Sequence, residues 1–398
     1  MSRAQLIEMA RHNLAHAKAG TIEQEPEVMR VPVSNYFDPD RWRLEIDRVF
    51  KRMPLMLALT CEMSGPGDYR ALEAVGMPVL LVRGGDGEVR AFVNMCSHRG
   101  SQIVREGTGN AKRFPCPYHA WTYDQLGDLV SVYASEDFGE IDKSCNGLTK
   151  LPVIERAGLI WVVLNPASTL DLEAFLSDYD QILAHFGFEH WHLFERRTIA
   201  GPNWKIAYDG YMDLYHLPIL HRESFGAQMP NQALYYPWGP HQRVSSPDPS
   251  LAEMEDLPEE EWSEAHLMSG VWTIFPHVSI ASFDGGGGRS VMISQLFPGE
   301  SPGESITVQN YVMENEPDEE QAAAATEQFT LLEHVVREED YATGLRQQKA
   351  LRTGAKSHVM FGRNEGGGHR FHRWLDKLLE ADDDQLNELF LHGERWGR

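Results

Sequence analysis

Two short Cys–His pairs constrain this chain more than any other feature of its sequence. One pair is Cys96 with His98, the other is Cys116 with His119, and the seventeen residues 99–115 separate them. A Cys and a His two or three residues apart on a tight loop point their sulfur and ring nitrogen in the same direction. We therefore expect two facing loops at hairpin tips that together present two thiolates and two imidazoles.

This ligand set is that of a Rieske [2Fe-2S] centre, in which two His replace two Cys on one of the irons. Cys96 and Cys116 would then hold one iron, and His98 and His119 the other. The alternative is a tetrahedral zinc site, because Cys₂His₂ also suits Zn²⁺. Zinc fingers usually pair Cys with Cys and His with His along the chain, whereas each loop here carries one of each, which favours the iron–sulfur interpretation.

Length and charge limit the class of protein that surrounds these loops. The 398 residues predict two or three domains, and no stretch approaches the ~20 apolar residues of a membrane span. A net charge of −23 argues against binding to nucleic acid or to an anionic membrane surface. We expect a soluble cytoplasmic protein in which Cys61 and Cys145 are buried thiols rather than a disulfide.

Hydrophobic periodicity divides the chain into a β-rich part and an α+β part. Helical patterns cover residues 3–19 and the stretch after Asp38-Pro39, where the Asp is the expected N-cap. Strand patterns then run from residue 68 to 95, with a hairpin at the glycine run 84–87, and two further strand pairs follow. A compact all-β module over about 40–165 is predicted.

The later residues alternate between helical and strand patterns in a way that predicts an α+β domain. Asn203 is the expected N-cap of one of the helices. The expected elements are helices over 170–188, 203–221, 318–351 and 369–380, and three antiparallel strand segments over 271–283, 289–298 and 305–314.

A second metal site is predicted within the helix after Asn203, where Asp213, His216 and His221 form D-x-x-H-x-x-x-x-H. Residues five apart point about 140° away from each other on an unbroken helix, but Pro218 breaks the hydrogen-bond ladder and lets His221 turn toward His216. Two His and one distant carboxylate form the facial triad of non-haem Fe(II) oxygenases. Spacing alone selects none of the acids of the late helix, which are Glu333, Glu338, Glu339 and Asp340.

Together these motifs resemble the α (terminal oxygenase) subunits of Rieske non-haem iron aromatic-ring-hydroxylating oxygenases. The matching stretches, in the family's order, are CSHRG, CPYHAWTY, NWKIAYDGYMDLYHLPILH and the terminal GRNEGGGHRFHRWLDKLL. The resemblance implies an N-terminal helical segment over 1–39 that packs on the catalytic domain, a Rieske domain over 40–165 and a helix-grip (START/Bet v 1-like) catalytic domain over 166–398.

The resemblance also implies roles for particular residues. His216 and His221 would be iron ligands, Asp340 of the E-D pair would be the third, and Asp213 would be the acid that bridges this iron to the Rieske cluster of a neighbouring subunit. The family often has Glu-Asn ahead of this acid, where the present chain has Asp209-Gly210. A head-to-tail trimer, with or without a β subunit, is the implied assembly.

Electrons must reach these sites from a partner protein. The glycine runs at 84–87, 285–288 and 366–368 do not fit G-x-G-x-x-G between a strand and a helix, so no flavin or nicotinamide site is predicted. We therefore expect a separate reductase, with a ferredoxin as a further candidate carrier and NADH or NADPH as the ultimate donor.

The predicted reaction is O₂-dependent mono- or dihydroxylation of an aromatic or other apolar substrate. An alternative within the family is oxidative N- or O-demethylation of a methylated amine or ether, and two others are a Rieske electron carrier and a zinc-stabilised binding protein. Metal analysis would distinguish them: about three irons per chain for the oxygenase, two for the carrier, and zinc for the binder. Candidate lining residues of an apolar pocket are Tyr208, Met212, Ile219, Phe275 and Met292, although apolar residues in such helix and sheet segments more often belong to the core.

Overall fold

The fold is that of a computed structural model, which describes residues 2–285 and 288–397. Met1, Arg398 and the pair 286–287 of the second glycine run lie outside the described residues. The chain opens with a helix, as its periodicity predicts, and Asp38 caps a later helix through its carboxylate, which accepts hydrogen bonds from the backbone N–H groups of Asp40 and Arg41. These first elements are α1 (Ser2–Ala19), β1 (Met29–Pro32), α2 (Ser34–Phe37) and α3 (Pro39–Glu45).

Short antiparallel strands dominate the next hundred residues and form three small sheets. The elements are β2 (Leu55–Leu59), β3 (Asp68–Ala74), β4 (Met77–Arg83), β5 (Val89–Val93), β6 (Gly107–Asn110), β7 (Phe114–Pro115), β8 (Thr122–Tyr123), β9 (Leu129–Ser131), α4 (Ser135–Phe138), β10 (Lys150–Leu151), β11 (Val153–Arg156) and β12 (Leu159–Val162). Their sheet orders are β10-β5-β4-β3-β6, β11-β12-β2 and β7-β8-β9. The predicted hairpin at the glycine run is confirmed by the β4–β5 pairing.

A seven-stranded antiparallel sheet, with helices packed against it, forms the remainder. Its elements are α5 (Leu172–Leu176), α6 (Tyr179–Leu183), β13 (His192–Gly201), α7 (Trp204–Tyr211), α8 (Leu217–Leu220), β14 (Leu234–Trp238), β15 (His241–Ser245), α9 (Glu264–Leu267), β16 (Val271–Ile274), β17 (Val278–Gly285), β18 (Gly288–Pro298), β19 (Ser305–Met313), α10 (Glu319–His334), α11 (Ala342–Leu351), β20 (His358–Phe361), α12 (Gly366–Glu380) and α13 (Leu386–Leu391). The sheet order is β13-β19-β18-β17-β16-β15-β14, which confirms the α+β expectation.

The segment before β2 is tied to the large sheet's domain rather than to the small sheets. Strand β1 pairs antiparallel with β20, with Val31 opposite Val359. The predicted boundaries of three domains stay predictions. Within the described ranges, every helix is too short or too polar to traverse a bilayer.

Two hydrophobic cores support the two candidate sites. A small core beneath the Cys–His loops includes Leu80, Phe92 and Tyr123, and it contains both Cys96 and Cys116. The larger core lies between the seven-stranded sheet and its helices, where the Tyr208 hydroxyl of α7 donates to the carbonyl oxygen of Val278 at 3.1 Å.

Two sequence expectations about local structure away from the mononuclear centre are wrong. The single helix predicted over 170–188 is two short helices, because Ser177 and Asp178 adopt left-handed backbone angles (φ of 54° and 66°) between them. The two remaining cysteines are free, as expected, but Cys145 is exposed and Cys61 is only partly buried.

Candidate metal centres

The two Cys–His loops are built on the same backbone pattern. In each loop the residue four positions after the Cys donates its N–H to the Cys carbonyl, and the Cys N–H donates to the carbonyl five positions on. Both loops turn through a left-handed residue, Gly100 (φ 75°) and Ala120 (φ 55°). The bonds are Gly100 N to Cys96 O and Ala120 N to Cys116 O at 2.9 Å each, Cys96 N to Ser101 O at 2.9 Å, and Cys116 N to Trp121 O at 2.7 Å. The two Cys thus occupy the same position in matched loops, whereas His98 is the second and His119 the third residue after its Cys.

The two imidazoles meet at the outer edge of this pair of loops. The rings of His98 and His119 lie edge to face with centroids 4.6 Å apart, and Trp121 stacks on His98 at 4.9 Å. Burial lowers the pKa of His119, and the nearby His98 and Arg99 lower it further. A neutral imidazole is the form that binds a metal.

The spread of the four donors distinguishes a cluster from a single ion. All four residues are described, and no three of their donor atoms lie within 4.8 Å of one another. One tetrahedral zinc would need donor atoms only about 3.3–3.8 Å apart. The Nδ1 atom of His98 is buried and has no hydrogen-bond partner. The arrangement therefore fits a binuclear group that supplies a ligand bond to this nitrogen, and it does not fit zinc.

Tyr123 is a residue of this centre that the sequence analysis missed. Its hydroxyl lies 3.2 Å from Cys96 Sγ and 3.0 Å from the backbone nitrogen of Ser97. Burial raises the pKa of the Cys96 thiol, although the hydrogen bond from Tyr123 opposes this rise. The WTY sequence after the second loop carries this residue, but nothing in its spacing indicates which way the tyrosine points.

The second centre brings together three residues from two distant parts of the chain. The Nε2 atoms of His216 and His221 lie 3.2 Å apart. Asp340 Oδ1 lies 3.6 Å from the first of these nitrogens and 3.2 Å from the second. Two imidazoles and one carboxylate thus converge on one point, which is the donor set of a non-haem Fe(II) facial triad.

The convergence of the two histidines has a different cause from the one predicted. Helix α7 begins at its N-cap Asn203, as expected, but ends at Tyr211, and Pro218 lies in the first turn of the separate helix α8. Asp213 starts the intervening turn, because its carboxylate accepts the N–H of Tyr215 and competes with continued helix. The predicted continuous helix with a kink at Pro218 is therefore wrong.

Asp340 reaches the histidines from a π-helical turn, Val335–Tyr341, between α10 and α11. Such wide turns occur often at functional sites. The preceding residue, Glu339, accepts a hydrogen bond from His221 Nδ1 at 2.6 Å. The Nε2 lone pair of His221 therefore faces Asp340. The hydroxyl of Ser224 donates to the other oxygen of Glu339. Sequence reasoning named Glu339 among several acids but missed this role.

Carboxylates dominate the electrostatics of the second centre. Burial alone lowers the pKa of His221, but hydrogen bonds and charge from Asp340 and Glu339 outweigh it and raise the pKa overall. Asp213 Oδ2 lies 3.1 Å from His216 Nδ1, so the two histidines each have a carboxylate on their outer nitrogen. Such partners fix the tautomer of a metal-binding imidazole.

A cavity of about 230 Å³ opens beside this centre. Asp209, Asp213, Glu365 and Asp340 contribute carboxylates to its wall, and Tyr36 contributes an aromatic ring. None of the five pocket candidates from the sequence lines this cavity, and the core position that the sequence favours for them is confirmed for four. Tyr208, Met212, Phe275 and Met292 are buried in the core, and Ile219 is 80% exposed.

Comparison with known protein families agrees with both centres. Residues 53–144 match the model of the Rieske [2Fe-2S] domain, and residues 188–381 match that of the ring hydroxylating alpha subunit (catalytic domain). The chain belongs to the α subunits of the Rieske ring-hydroxylating oxygenases. For a Rieske oxygenase α subunit, the cofactors are one [2Fe-2S] cluster and one non-haem iron, and both donor sets described above fit them.

Several curated proteins are similar to this Rieske oxygenase chain. The oxygenase subunit of glycine betaine monooxygenase from Chromohalobacter salexigens is 31% identical over 211 residues, which are 52% of this chain and 46% of that protein. Chlorobenzene dioxygenase subunit alpha from Cupriavidus sp. is 33% identical over 261 residues, which are 58% and 56% of the two chains. The chain thus spans about half the length of the curated relatives it matches.

Solved structures share the fold of this Rieske oxygenase chain at low sequence identity. The quaternary ammonium Rieske monooxygenase CntA, in complex with an inhibitor, has a TM-score of 0.75 and 20% identity over 89% of this chain and 97% of that one. Naphthalene 1,2-dioxygenase from Rhodococcus sp. has a TM-score of 0.72 and 20% identity over 96% and 98%. These structures confirm the predicted fold class.

Proposed function

We propose that this chain is the terminal oxygenase of a Rieske system and hydroxylates an aromatic or other apolar organic substrate with O₂. The observation that carries the proposal is the convergence of His216, His221 and Asp340 in a chain that also holds the Cys–His loops. When bound, the cluster supplies single electrons and the mononuclear iron supplies the capacity to activate O₂.

Each predicted site residue has a role in this proposal. The carboxylate of Glu339 accepts a hydrogen bond from Nδ1 of His221, and that of Asp213 accepts one from Nδ1 of His216. Both rings therefore keep one orientation and one tautomer. The Tyr123 hydroxyl donates a hydrogen bond to the sulfur of the cluster ligand Cys96 and moderates the charge of that sulfur. The cluster ligands are Cys96, His98, Cys116 and His119, the iron ligands are His216, His221 and Asp340, and Asp213 is the bridging acid.

The bridging role of Asp213 requires a second copy of the chain. Asp213 lies on the wall of the open cavity, and the imidazole edge of His119 lies at the protein surface, so a cluster histidine of one copy has access to Asp213 of the next. We propose a head-to-tail trimer, to which a β subunit is an optional addition. Electrons come from NADH or NADPH through a reductase or ferredoxin, and the cytoplasm, where these reductants are available, is the proposed location of the enzyme.

The decisive experiment is turnover with labelled dioxygen. Purified, iron-loaded protein should be given a surrogate reductase, NADH, ¹⁸O₂ and a panel of aromatic substrates, and the products analysed by mass spectrometry. We expect a hydroxylated product that carries ¹⁸O, and its formation should require both the reductase and O₂. An electron carrier would be reduced and reoxidised without any labelled product.

Asp213→Asn separates the bridging role from metal binding. This variant should retain the cluster absorbance and about three irons per chain, because the amide still occupies the turn and the metal ligands are intact. Electron transfer from the reduced cluster should slow sharply in single-turnover experiments. Normal turnover of the variant would refute the bridging role while leaving the oxygenase assignment in place.

A second candidate reaction, oxidative N-demethylation of a methylated amine, is favoured by the charge of the cavity. Beside the iron ligand Asp340, its described lining includes the carboxylates of Asp209, Asp213 and Glu365 and neither lysine nor arginine. Carboxylates and an aromatic ring attract a cation such as a quaternary ammonium group. One of the relatives is named as the oxygenase subunit of glycine betaine monooxygenase, and glycine betaine carries a trimethylammonium group.

A matched pair of substrates tests this candidate. A trimethylammonium compound and its neutral tert-butyl isostere have the same shape and differ in charge. N-demethylation predicts formaldehyde release from the cation, and Asp209→Asn should raise its KM while leaving the KM of the neutral isostere unchanged. Equal KM values for the two compounds in the parent enzyme would exclude selection by charge.

A further inference from the structure

A third group of metal-binding side chains lies outside both iron sites. It comprises His12 and His16 of helix α1 and Glu23 from the segment that follows the helix. One donor atom of each residue lies within 4.8 Å of the other two, and His12 Nε2 is 3.4 Å from Glu23 Oε1. Residues four apart share one face of a helix, so the two rings project toward the same carboxylate.

The orientation of His12 follows from its buried neighbour. The Tyr236 hydroxyl lies 3.2 Å from the carbonyl oxygen of Met9 and 3.2 Å from His12 Nδ1. Tyr236 thus engages Nδ1, and the other ring nitrogen, Nε2, faces the Glu23 carboxylate.

The ring of His16 is oriented by a different partner. Its Nδ1 lies 3.2 Å from the carbonyl oxygen of Thr21 and 3.0 Å from the hydroxyl oxygen of the same residue. Thr21 thus engages this nitrogen and leaves Nε2 available. One donor atom from each of the three residues therefore lies within reach of a single cation.

A metal-binding histidine usually makes a hydrogen bond through its second nitrogen, which fixes the orientation of the ring. Both rings of this group have such a partner, Tyr236 for His12 and Thr21 for His16.

We propose that His12, His16 and Glu23 bind one divalent transition-metal ion, with Zn²⁺ the best match. Two imidazoles and one carboxylate suit zinc, copper or nickel and are poor ligands for Mg²⁺ or Ca²⁺. The 3.4 Å between His12 Nε2 and Glu23 Oε1 is close to the edge of about 3.4 Å expected for a zinc tetrahedron. The remaining position is open to water.

The ion would fasten the end of helix α1 to the segment that crosses the catalytic domain. The ring of His12 packs edge to face on Trp396, with centroids 4.9 Å apart. Two residues beyond Glu23, the backbone N–H of Glu25 donates to the carbonyl of Arg363 at 2.8 Å. We therefore expect zinc to stabilise the fold by linking helix α1 to the segment that contains Glu23, and to leave turnover unchanged.

Zinc titration of the iron-loaded holoenzyme, followed by calorimetry and by thermal unfolding, tests the proposal. The enzyme should bind one Zn²⁺ per chain and melt at a higher temperature with zinc. His16→Ala and Glu23→Gln should each lower the zinc affinity at least tenfold and abolish the thermal shift. The matched control is His392→Ala, which removes an exposed histidine paired only with Glu388, and it should bind zinc as the parent does.

Two further variants test whether zinc binds at His12, His16 and Glu23 and not at the mononuclear centre. Tyr236→Phe removes the hydroxyl that orients the ring of His12 and should weaken zinc binding about tenfold, which an unstructured pair of surface histidines would not show. His221→Ala disables the mononuclear centre and should retain the zinc site, so uptake there is not mistaken for this one. Equal zinc affinity in the parent and His16→Ala, or no uptake by the parent, would overturn the proposal.

Discussion

The buried ion pair between Lys205 and Glu45 offers a quantitative test of how helix α7 is held. The side chains are 1% and 0% exposed. The Glu45 carboxylate accepts hydrogen bonds from Lys205 Nζ, from Trp204 Nε1 at 3.0 Å and from Arg41 Nε at 3.0 Å. Burial lowers the pKa of Lys205, and Glu45 partly offsets this shift. Replacing Lys205 with Met would leave a buried carboxylate with one cationic partner fewer.

The expected loss follows from the cost of an uncompensated buried charge. Removing one partner of a buried pair costs about 3–5 kcal/mol. Arg41 remains in contact with Glu45, so we expect the lower end, about 3 kcal/mol. For a catalytic unit of about 230 residues the unfolding entropy is roughly 0.5 kcal/mol/K, which converts this loss into a fall in Tm of about 6 °C.

Thermal unfolding followed by circular dichroism measures this change, with the visible cluster absorbance as a check on the intact Rieske domain. The matched control is Lys51→Met, because Lys51 forms an exposed pair with Asp47, and it should cost less than about 1 kcal/mol. Adding Glu45→Gln to Lys205→Met should recover most of the lost free energy of unfolding, because no buried charge is then unpaired. A Lys205→Met shift no larger than that of Lys51→Met would refute the reasoning.

Three further predictions concern the metal centres and the response to acid. Asp340→Ala should lower the iron content from about three to about two per chain while the [2Fe-2S] absorbance persists, as measured by metal analysis and visible spectra; retention of all the iron would argue against this ligand. Tyr123→Phe should lower the reduction potential of the cluster by roughly 40–60 mV, the equivalent of one hydrogen bond to Cys96, and an unchanged potential in voltammetry would exclude that bond. Burial lowers the pKa of His241 from 6.5 to about 4, so the unfolded chain binds a proton that the folded chain does not. Stability should fall as the pH drops from about 6.5 to about 4 and should not depend on this group above that range. Urea midpoints measured across it should vary less with pH in His241→Gln, and an equal slope in both proteins would contradict this assignment.

Local sequence rules predicted the parts of the fold in which neighbouring residues supply the whole interaction. Asp38 caps its helix because the acceptor and both donors lie within three residues. The hairpin at residues 84–87 forms because its glycines permit the turn and its apolar strands pair in register. The two Cys–His pairs indicated a binuclear cluster for the same reason, since each loop positions its own two ligands.

The sequence by itself determined which metal-ligand side chains the chain offers and which short loops contain them. Only the tertiary structure decided which distant groups meet: a π-helical turn brings both Glu339 and Asp340 to the ring of His221, and a turn begun by Asp213 brings the two histidines together. Likewise, Cys145 is exposed, where the sequence predicts a buried thiol. The physical reason is that the contacts of Glu339 and Asp340 with His221 join residues more than a hundred positions apart, and that their energies depend on packing that no local pattern records.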